Sequence, residues 1–560
     1  MGDHNIKVLC VVFVCVSSAL HTPPTLSAIQ TTRIHPQRTL ARSKPRGTHK
    51  LPHWQSITLT EGCWRPRLND RMGSGCGTTF AFLLLLFHLG YGCRDYACWG
   101  VTMCSEGPTA GKCAAPQQCP ASAIQYINGV VQIVGWRCSV TLEQIRLTFP
   151  FALTKEGTEY TLNRKIWLRH GCVLEIHGAS KASSANAAVS LLKLKSDAVS
   201  SAPIVALHGK ISILDTSITS WDASIGAPDE RLEGRAFIAA LSGEDLSGGS
   251  VYTSRMDVED SEIAYLGNEG DYHNDIDSDY GLLWKVLGYD DRFPGDLGVF
   301  DRVGVYGTLK GNDIHHNYIG AYCYGMKGNA VWKDNKIHDN VLNGMNPQDN
   351  SDGMTIENNH VHDNGWHGIE FSKRCERALV IDNVVEDNAR AGIFFHRSTD
   401  YAVAYGNTCR RNREGDVGIV ESAGVKVHNN VMEGGKYGVR LSLGAQECEV
   451  YENEISDSAR YGVFFYRGSD EAEASADWDG RPRLNVVRDN RISDPVEGQG
   501  VAVTGSDNNS ILDNTFIGID SLRFEDAAET FVGGNGLPEG VAFVLKDGAT
   551  LASGSQEPTD

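Results

Sequence analysis

The residues of this 560-residue chain that could do acid–base chemistry on a charged ligand are concentrated between residues 320 and 400. His367 and His396 carry imidazoles, which gain or lose a proton near neutral pH. The stretch 373–413 holds eight cations against five acids. The cations are Lys373, Arg374, Arg377, Arg390, Arg397, Arg410, Arg411 and Arg413. The whole chain has a formal net charge of −19, which argues against a general nucleic-acid binder. A local cationic strip on such an acidic protein indicates an anionic ligand.

The elements that must position these side chains belong to a repeat that begins near residue 300. An asparagine recurs every 23 or 24 residues, with one interval of 37 that contains an acidic insertion at 469–474. The recurring residues are Asn312, Asn335, Asn359, Asn383, Asn407, Asn430, Asn453, Asn490 and Asn514. A second asparagine column and a glycine column that opens a short strand share this period. They are Asn317, Asn340, Asn364, Asn388 and Asn412, and Gly320, Gly344, Gly368, Gly392, Gly418, Gly438 and Gly462.

A period near 24 with short strands and no helical periodicity predicts an all-β fold, a right-handed parallel β-helix. A leucine-rich repeat has a similar period, but its leucine framework is missing. We expect the asparagines to stack as side-chain ladders and to occupy the left-handed turns between strands.

Alternation along the glycine-led strand separates an inner from an outer face. Residues one and three positions after the glycine are apolar and face the core, and residues two and four positions after it form an outward wall. The wall comprises Tyr322, Tyr324, Asn346, Gln348, Glu370, Ser372, Phe394, His396, Arg440, Ser442, Phe464 and Tyr466. Coils stack at ~4.8 Å, so an extended polymer could lie along this wall. The alternative is a solvated face without a ligand.

The chain divides into five predicted segments. Residues 1–71 carry ten lysines and arginines against three acids and are interpreted as an over-extended gene model or a leader. Residues 72–92, from Met72 through the apolar run Phe80–Phe87, have the features of a signal peptide. A Cys-rich segment at 93–140, a β-helix at 150–540 and a tail at 541–560 follow. We therefore expect a secreted protein of the extracellular space or cell wall, not membrane-bound after signal cleavage. A bipartite targeting leader is the alternative for the first segments.

Six cysteines within 46 residues predict three disulfides whose pairing the sequence leaves open. They are Cys93, Cys98, Cys104, Cys113, Cys119 and Cys138. The absence of a CxxC pair argues against zinc. The acidic cluster Asp271, Asp275, Asp277 and Asp279 lacks the spacing of a calcium loop. We therefore predict a solvated loop there, with no metal site and no required cofactor.

Several sequence blocks, taken in order, resemble the mannuronan C5-epimerases of brown algae and alginate-producing bacteria. They include Leu174-Glu175-Ile176-His177, Ser217-Ile218-Thr219-Ser220-Trp221, Tyr280-Gly281-Leu282-Leu283-Trp284, Ala321-Tyr322-Cys323-Tyr324 and Ala404-Tyr405-Gly406-Asn407. The similarity covers roughly residues 155–530. It implies a parallel β-helix that binds an alginate-like anionic polysaccharide and epimerises mannuronate to guluronate residues at C5. The family signature Asp-Pro-His-Asp aligns with Asn346-Pro347-Gln348-Asp349, and the preceding stretch Val341-Leu342-Asn343 lacks the histidine that serves as the family's base.

The implied reaction removes a proton next to a carboxylate, so it needs a base, a cation on the carboxylate, and an acid or water on the opposite face. His396 is the preferred base and His367 the second choice, with Asp349 orienting the base. Lys373, Arg374 or Arg397 would neutralise the carboxylate. The expected substrate-binding residues are Tyr322, Tyr324, Asn346, Gln348, Glu370, Ser372, Lys373 and Arg397. His315, His338 and His362 share one turn position and are expected to be stacked turn residues.

Two other functions fit the same wall. A β-eliminating uronate lyase shares the proton abstraction but expels the 4-linked sugar. A catalytically degenerate cell-wall polysaccharide-binding protein would keep the groove and lose the base. We expect a monomer in each case.

Overall fold

The structure is a computed structural model that describes residues 117–197, 200–244, 250–269, 280–289, 297–468 and 479–558. The predicted leader and signal segments, the four cysteines from Cys93 to Cys113, the acidic cluster Asp271–Asp279 and the insertion at 469–474 lie outside these residues and stay predictions. Among the described residues, no helix is both long and apolar enough to cross a membrane.

The described chain winds into coils that each contribute one strand to each of three long sheets. In a representative coil, Val331–Lys333 lies in sheet 1, Lys336–His338 in sheet 2 and Met345–Gln348 in the sheet that carries the predicted wall, called the wall sheet. Each strand pairs in parallel with the strand one coil later, for example Ile337 with Val361. The predicted parallel β-helix is confirmed.

Sheet 1 contains Gln117–Gln118, Cys138–Thr141, Cys172–His177, Gly209–Leu214, Arg255–Glu259, Tyr306–Lys310, Val331–Lys333, Thr355–Glu357, Leu379–Ile381, Val403–Tyr405, Lys426–His428, Glu449–Tyr451, Val486–Arg488, Ser510–Leu512 and Phe531–Gly533. Sheet 2 contains Leu153–Glu156, Glu159–Leu162, Leu191–Lys195, Ser217–Asp222, Glu262–Ala264, Asp313–His315, Lys336–His338, His360–His362, Val384–Glu386, Thr408–Arg410, Val431–Glu433, Glu454–Ser456, Arg491–Ser493 and Thr515–Ile517, with Ala227–Pro228 at its side.

The wall sheet contains Ile124–Ile127, Val130–Ile133, Lys165–Leu168, Ile204–Leu207, Ile238–Glu244, Leu282–Val286, Ala321–Tyr324, Met345–Gln348, Ile369–Ser372, Ala391–His396, Gly415–Val420, Tyr437–Ser442, Tyr461–Tyr466, Gln499–Asp507, Ser521–Ala528 and Ala542–Lys546, with Val251–Tyr252 beside Ile238–Glu244. Two α-helices, Leu142–Thr148 and Val299–Arg302, and two 3₁₀ turns, Ala121–Ala123 and Ala185–Ala187, complete the described elements. The last wall strand therefore lies within the range predicted as a tail.

The predicted asparagine ladder stands between sheets 1 and 2. The side-chain amide of Asn335 donates to Oδ1 of Asn359 at 2.8 Å, and Asn359 and Asn383 donate onward at 3.0 and 2.9 Å. The ladder runs without interruption from Asn312 to Asn535 and spans the interval that holds the acidic insertion. Each buried hydrogen bond contributes ~1 kcal/mol, and an orphaned partner costs ~1–3 kcal/mol. The ladder therefore locks the register of successive coils.

The ladder asparagines themselves do not adopt the left-handed conformation that the sequence led us to expect. The residue before each of them does, as at Asp334 with φ 58°, Asn358 with φ 53° and Asp382 with φ 53°. The preceding residue makes the turn while the asparagine side chain points inward to the next coil. The left-handed conformation was therefore predicted one residue too late in the sequence.

The second ladder lies between sheet 2 and the wall sheet, and it explains the glycine column. A Cβ on Gly368 would approach Nδ2 of Asn388 to 2.8 Å, so a side chain at this position collides with the ladder. Gly418, however, pairs with Phe394 and belongs to the outward wall. The residue at the glycine position of that coil is Asp416, since the neighbouring Ala391 and Ile393 pair with Gly415 and Val417.

Asp416 ends the second ladder. It is fully buried, and its Oδ1 accepts a hydrogen bond from Nδ2 of Asn412 at 3.1 Å. The next coil has Gly435 where another asparagine would stand, and a Cβ there would lie 2.8 Å from Oδ2 of Asp416. Burial raises the pKa of Asp416 well above its ordinary value, although hydrogen bonds from Asn412 and the Gly435 backbone oppose the shift.

In the described part of the chain, the N-terminal end of the solenoid consists of residues 117–140 of the Cys-rich segment and one short helix. Cys119 and Cys138, two of the six cysteines expected to form disulfides, are bonded to each other, and the buried thiol of Cys172 lies 4.0 Å from Cys138 Sγ. Leu142–Thr148 begins with a capping box between Thr141 and Gln144. Strand Cys138–Thr141 already pairs with Cys172–His177, so the coils begin within the segment predicted to precede the β-helix.

We predict that Asp416→Asn stabilises the protein at alkaline pH. A group whose pKa is raised on folding contributes stability at low pH, and that stability is lost as the pH rises through the folded-state pKa. The amide cannot ionise, so above neutral pH the variant should unfold at a higher temperature than the natural protein. Thermal unfolding measured across pH tests this.

Asp457→Asn is the matched control, because Asp457 is an exposed turn carboxylate and its replacement should leave the pH profile unchanged. A pH profile of Asp416→Asn that parallels the natural protein would contradict the prediction.

Candidate functional site

The wall sheet presents two outward columns of side chains along the solenoid. Its register pairs Tyr322 with Asn346, Glu370 with Phe394, and Gly418 with Arg440 in one column. The second column contains Tyr324, Gln348, Ser372, His396, Val420 and Ser442. The structure therefore brings the predicted wall residues into neighbouring coils in the order that alternation predicted.

His396 and Glu370 form a carboxylate–imidazole pair on adjacent coils. Nδ1 of His396 lies 3.7 Å from Oε1 of Glu370 and 3.3 Å from Oγ of Ser372. The side chain of His396 is 23% exposed and that of Glu370 is 12% exposed. With Nδ1 facing the carboxylate, the proton belongs on Nδ1. Nε2 has no hydrogen-bond partner among the residues that the structure describes, so its lone pair is available to a ligand.

A chain of amides supports Glu370 from the coil below. Asn343 donates from Nδ2 to Oε2 of Glu370 at 2.7 Å. Asn346 donates to the backbone carbonyl of Glu370 at 3.2 Å and accepts from Nε2 of Gln348 at 3.1 Å. Gln348 in turn accepts from the Tyr322 hydroxyl at 3.0 Å. Asn346 and Gln348, which replace the first acid and the histidine of the family signature, are thus hydrogen-bonded members of the wall.

The pKa of Glu370 lies below its ordinary value. Burial alone would raise it, but the neighbouring imidazoles of His396 and His367 and the hydrogen bond from the amide of Asn343 outweigh burial. The carboxylate is therefore ionised at neutral pH, as a group that orients an imidazole must be.

Unlike His396, His367 is buried, and its Nδ1 accepts a hydrogen bond. It is 3% exposed, and its ring stacks on Phe394 at 4.4 Å between centroids with an interplanar angle of 3°. Nδ1 accepts the backbone N–H of Ala391 at 3.1 Å, so the neutral ring carries its proton on Nε2. Burial lowers the pKa of His367 to about 4. This geometry suits a hydrogen-bond donor better than a base.

The predicted acid Asp349 is fully buried and pairs with the guanidinium of Arg374. The carboxylate that lies beside His396 is Glu370. Asp349 and Arg374 occupy left-handed turn positions at φ 37° and 64°, and Lys373 and Arg397 do so at φ 62° and 54°. These four predicted residues therefore lie in the turns that follow the wall strands and not on the strands themselves.

The cationic strip is largely neutralised by carboxylates that the fold brings from neighbouring coils. Arg397 lies 3.6 Å from Glu421, and Arg410 lies 3.2 Å from Glu433. Other pairs join Arg390 with Glu414 and Arg411 with Asp387. Counting charges along residues 373–413 missed these partners, because most of them lie outside that stretch.

Arg440 is a wall cation that the sequence analysis did not single out. Its guanidinium lies 5.9 Å from the centroid of the Phe394 ring and is partly exposed. It is near enough to His367 to help lower that pKa. Among the described residues, no carboxylate forms an ion pair with Arg440. The sequence pattern could have identified Arg440, because it stands two coils after Phe394 in the same outward column.

The missing side chain of Gly418 makes room for the Phe394 ring. A Cβ on Gly418 would lie 2.6 Å from Cδ2 of Phe394, so the aromatic ring covers the position where a side chain would stand. The Phe394 ring stacks on His367, lies 5.3 Å from the His396 ring between centroids, and has the Arg440 guanidinium 5.9 Å from its centroid. These three groups and Glu370 surround one patch of wall.

Tyr322 and Tyr324 have the predicted outward phase but are only 6% and 7% exposed. Tyr280 stacks on Tyr322 at 4.1 Å between ring centroids, and Phe300 lies 5.5 Å from Tyr324. Burial raises the pKa of Tyr322 well above its ordinary value. Both rings therefore line a covered part of the wall.

His315, His338 and His362 are stacked, as predicted, but each of them ends a strand and does not lie in a turn. The His315 and His338 rings lie 5.1 Å apart, and those of His338 and His362 lie 4.8 Å apart. They belong to sheet 2 and not to the wall sheet.

Two sequence comparisons give limited results. A model of the NosD family, described as periplasmic copper-binding protein, matches residues 298–426 and 348–529, which together make up less than half of the chain. A comparison with curated proteins finds no match.

Comparison with solved structures identifies alginate epimerases of the same architecture. The periplasmic alginate epimerase AlgG is 18% identical over 74% of this chain and 85% of that protein, with a TM-score of 0.54. A form of AlgG with one threonine replaced by asparagine is 17% identical over 69% and 85% of the two chains, with a TM-score of 0.57. The A-module of the mannuronan C-5 epimerase AlgE6 from Azotobacter vinelandii is 16% identical over 70% of this chain and 91% of that one, with a TM-score of 0.38. The chain thus shares the parallel β-helix fold of AlgG.

Proposed function

We propose that this protein epimerises mannuronate to guluronate residues within a mannuronan-type polymer. The observation that carries the proposal is the set of Glu370, His396 and Arg440 around one patch of the wall, in a chain that shares the fold of an alginate epimerase. A base with a free lone pair and a cation without a carboxylate partner among the described residues are the two groups that C5 proton abstraction requires.

His396 removes the C5 proton through Nε2, while Glu370 holds Nδ1–H and stabilises the imidazolium that forms. The electron pair of the broken C–H bond moves into the adjacent carboxylate and gives an enolate-like dianion. A solvent proton adds to C5 from the opposite face and completes the inversion. His396 then returns its proton to solvent, so neither an oxidant nor a reductant is consumed.

Arg440 neutralises the substrate carboxylate in this proposal. The charge on that carboxylate increases as the proton leaves, so a guanidinium beside it binds the transition state more strongly than the ground state. His367 adds a neutral donor through Nε2–H. Lys373 and Arg397 are assigned to binding neighbouring sugars, together with Gln348, whereas the predicted Ser372 is buried.

The proposed place of action is outside the cytosol. The Cys119–Cys138 disulfide supports it, because disulfides persist in oxidising compartments. The signal peptide predicted at 72–92 would provide the route.

Incubation of the full chain with polymannuronate in deuterium oxide tests the proposal. We expect guluronate signals in the proton NMR spectrum and solvent deuterium at C5. An unsaturated product that absorbs in the ultraviolet would indicate a lyase instead. Binding of the polymer without deuterium incorporation would identify a non-catalytic polysaccharide-binding protein.

We expect His396→Gln to lower kcat by ~10²–10⁴-fold, the usual contribution of a general base, while leaving mannuronan affinity nearly unchanged. Glu370→Gln should also reduce kcat, because it removes the charge that stabilises the imidazolium. Steady-state kinetics and titration calorimetry separate the two effects. His428→Gln is the matched control, since His428 is a stacked histidine of sheet 1. Unchanged turnover in His396→Gln would exclude His396 as the base.

Arg440→Ala and Arg374→Ala should behave differently. The first removes a partly exposed cation and should lower kcat/KM by ~10²–10³-fold without changing the unfolding temperature. The second leaves the buried carboxylate of Asp349 without its guanidinium and should destabilise the fold by ~3–5 kcal/mol. Kinetics and thermal unfolding on both variants check this, with Arg488→Ala on sheet 1 as the control. Equal loss of activity in all three variants would indicate diffuse charge attraction.

A further inference from the structure

A short column of side chains lies along one edge of the wall sheet, at the position directly before the glycine column. Asn343, His367 and Ala391 occupy this position on three successive coils. Oδ1 of Asn343 accepts the backbone N–H of His367 at 3.1 Å, and Nδ1 of His367 accepts the backbone N–H of Ala391 at 3.1 Å. Each of the two polar side chains is therefore bound to the backbone of the next coil.

The bond to the backbone determines how the amide of Asn343 is oriented. Since Oδ1 accepts the N–H of His367, Nδ2 is the atom that meets Glu370, and it donates to Oε2 at 2.7 Å. Reversal of the amide would place two donors together at His367 and two acceptors together at Glu370. Asn343 is 7% exposed, so solvent has little access to either bond. The amide therefore holds Oε2 of Glu370 from one fixed direction.

The second oxygen of the same carboxylate is the one that lies beside the imidazole. Oε1 of Glu370 is 3.7 Å from Nδ1 of His396. The two oxygens belong to one rigid plane, so a bond that fixes Oε2 also fixes where Oε1 points. Asn346 contacts only the backbone carbonyl of Glu370 by hydrogen bond among the described residues. Asn343 is therefore the amide that orients the side chain.

Other charged groups lie on the coils and turns around this pair. They are Lys373, Arg390, Arg397, Arg440, Glu414 and Glu421. Arg390 and Arg397 have carboxylate partners at 3.8 and 3.6 Å. Burial lowers the pKa of His367 to about 4, so this ring is neutral at neutral pH. Among the described residues, Glu370 is the carboxylate that lies beside the ring of His396.

We propose that Asn343 is a positioning residue of the site, which holds the carboxylate of Glu370 toward Nδ1 of His396. This inference rests on the proposed function. The carboxylate keeps the proton of the neutral ring on Nδ1, so Nε2 retains the lone pair that removes the C5 proton. Without the amide, Glu370 turns away from the ring and the proton is no longer confined to Nδ1.

NMR of the full chain labelled with ¹⁵N-histidine tests the inference without any substrate. We expect the neutral ring of His396 to carry its proton on Nδ1 in the natural protein and to lose this preference in Asn343→Leu, which removes the donor without adding charge. The rings of His338 and His362, on sheet 2, are internal controls and should not change. Asn343→Ala replaces the leucine variant if the latter does not fold. A folded variant that keeps the proton on Nδ1 would overturn the inference.

Asn343→Asp gives a second test through its pH dependence. The new carboxyl keeps an oxygen for the N–H of His367, and its closeness to Glu370 raises the pKa of one of the two carboxyls. At low pH the pair shares a proton, and the O–H donates to its neighbour as the amide does. Above the raised pKa both groups are ionised and repel each other, so Glu370 is no longer held toward His396.

Turnover of polymannuronate, divided by that of the natural protein at each pH, measures this effect. For Asn343→Asp we expect a ratio near one at low pH that falls ~10-fold or more as the pH rises, which is part of the ~10²–10⁴-fold contribution of a general base. The ratio for Asn343→Leu should be low at every pH. Asn358→Asp is the matched control, because Asn358 donates to Oδ1 of Asp334 at 2.7 Å in an exposed turn. Ratios independent of pH in both Asn343 variants would indicate a merely structural residue and overturn the inference.

The two measurements separate this inference from the proposed function. A natural protein without turnover, in which the ring of His396 still responds to Asn343→Leu, would support the positioning role and refute the proposed enzyme. Turnover in the natural protein, with an unchanged ring of His396 in the folded variant, would overturn the positioning role and leave the proposed function intact.

Discussion

The asparagine ladders are the interaction on which the rest of this structure depends. Each side-chain amide joins one coil to the next by a buried hydrogen bond of about 2.8 to 3.0 Å, as between Asn335 and Asn359. A parallel sheet alone permits neighbouring strands to slip by two residues without exchanging their inner and outer faces. A buried amide that must reach its partner does not permit that slip. The ladders therefore determine which side chains are neighbours on the wall.

The site depends on that register, because its members come from separate coils. Glu370, His396 and Arg440 are 26 and 44 residues apart along the chain. A shift of one coil by two residues would separate the carboxylate from the imidazole. The same register places Gly418 beneath the Phe394 ring, where any side chain would collide with that ring. The scaffold supplies preorganisation, and the side chains supply the chemistry.

Electrostatics divides the cations of the wall into two classes. Arg374 and Arg397, in the turns that follow the wall strands, have the carboxylate partners Asp349 and Glu421. Arg440 rests against an aromatic ring, where a guanidinium keeps its charge available to a ligand. Burial makes a similar division between the two histidines, since it lowers the pKa of His367 to about 4 and leaves His396 at the surface.

The sequence by itself determined the parallel β-helix, the ladders and the outward columns, because these follow from a strict period and from alternation along short strands. It also placed His396 on the wall and His315, His338 and His362 in a stack. Only the tertiary structure decided that Glu370 and not Asp349 lies beside His396, that acids from other coils neutralise the cationic strip, and that Tyr322 and Tyr324 are covered. These facts depend on contacts between segments far apart in the chain, about which a local pattern carries no information. The sequence also did not reveal that Asp416 occupies the glycine position of its coil, because Gly418, two residues later, has nearly the spacing expected of the repeat.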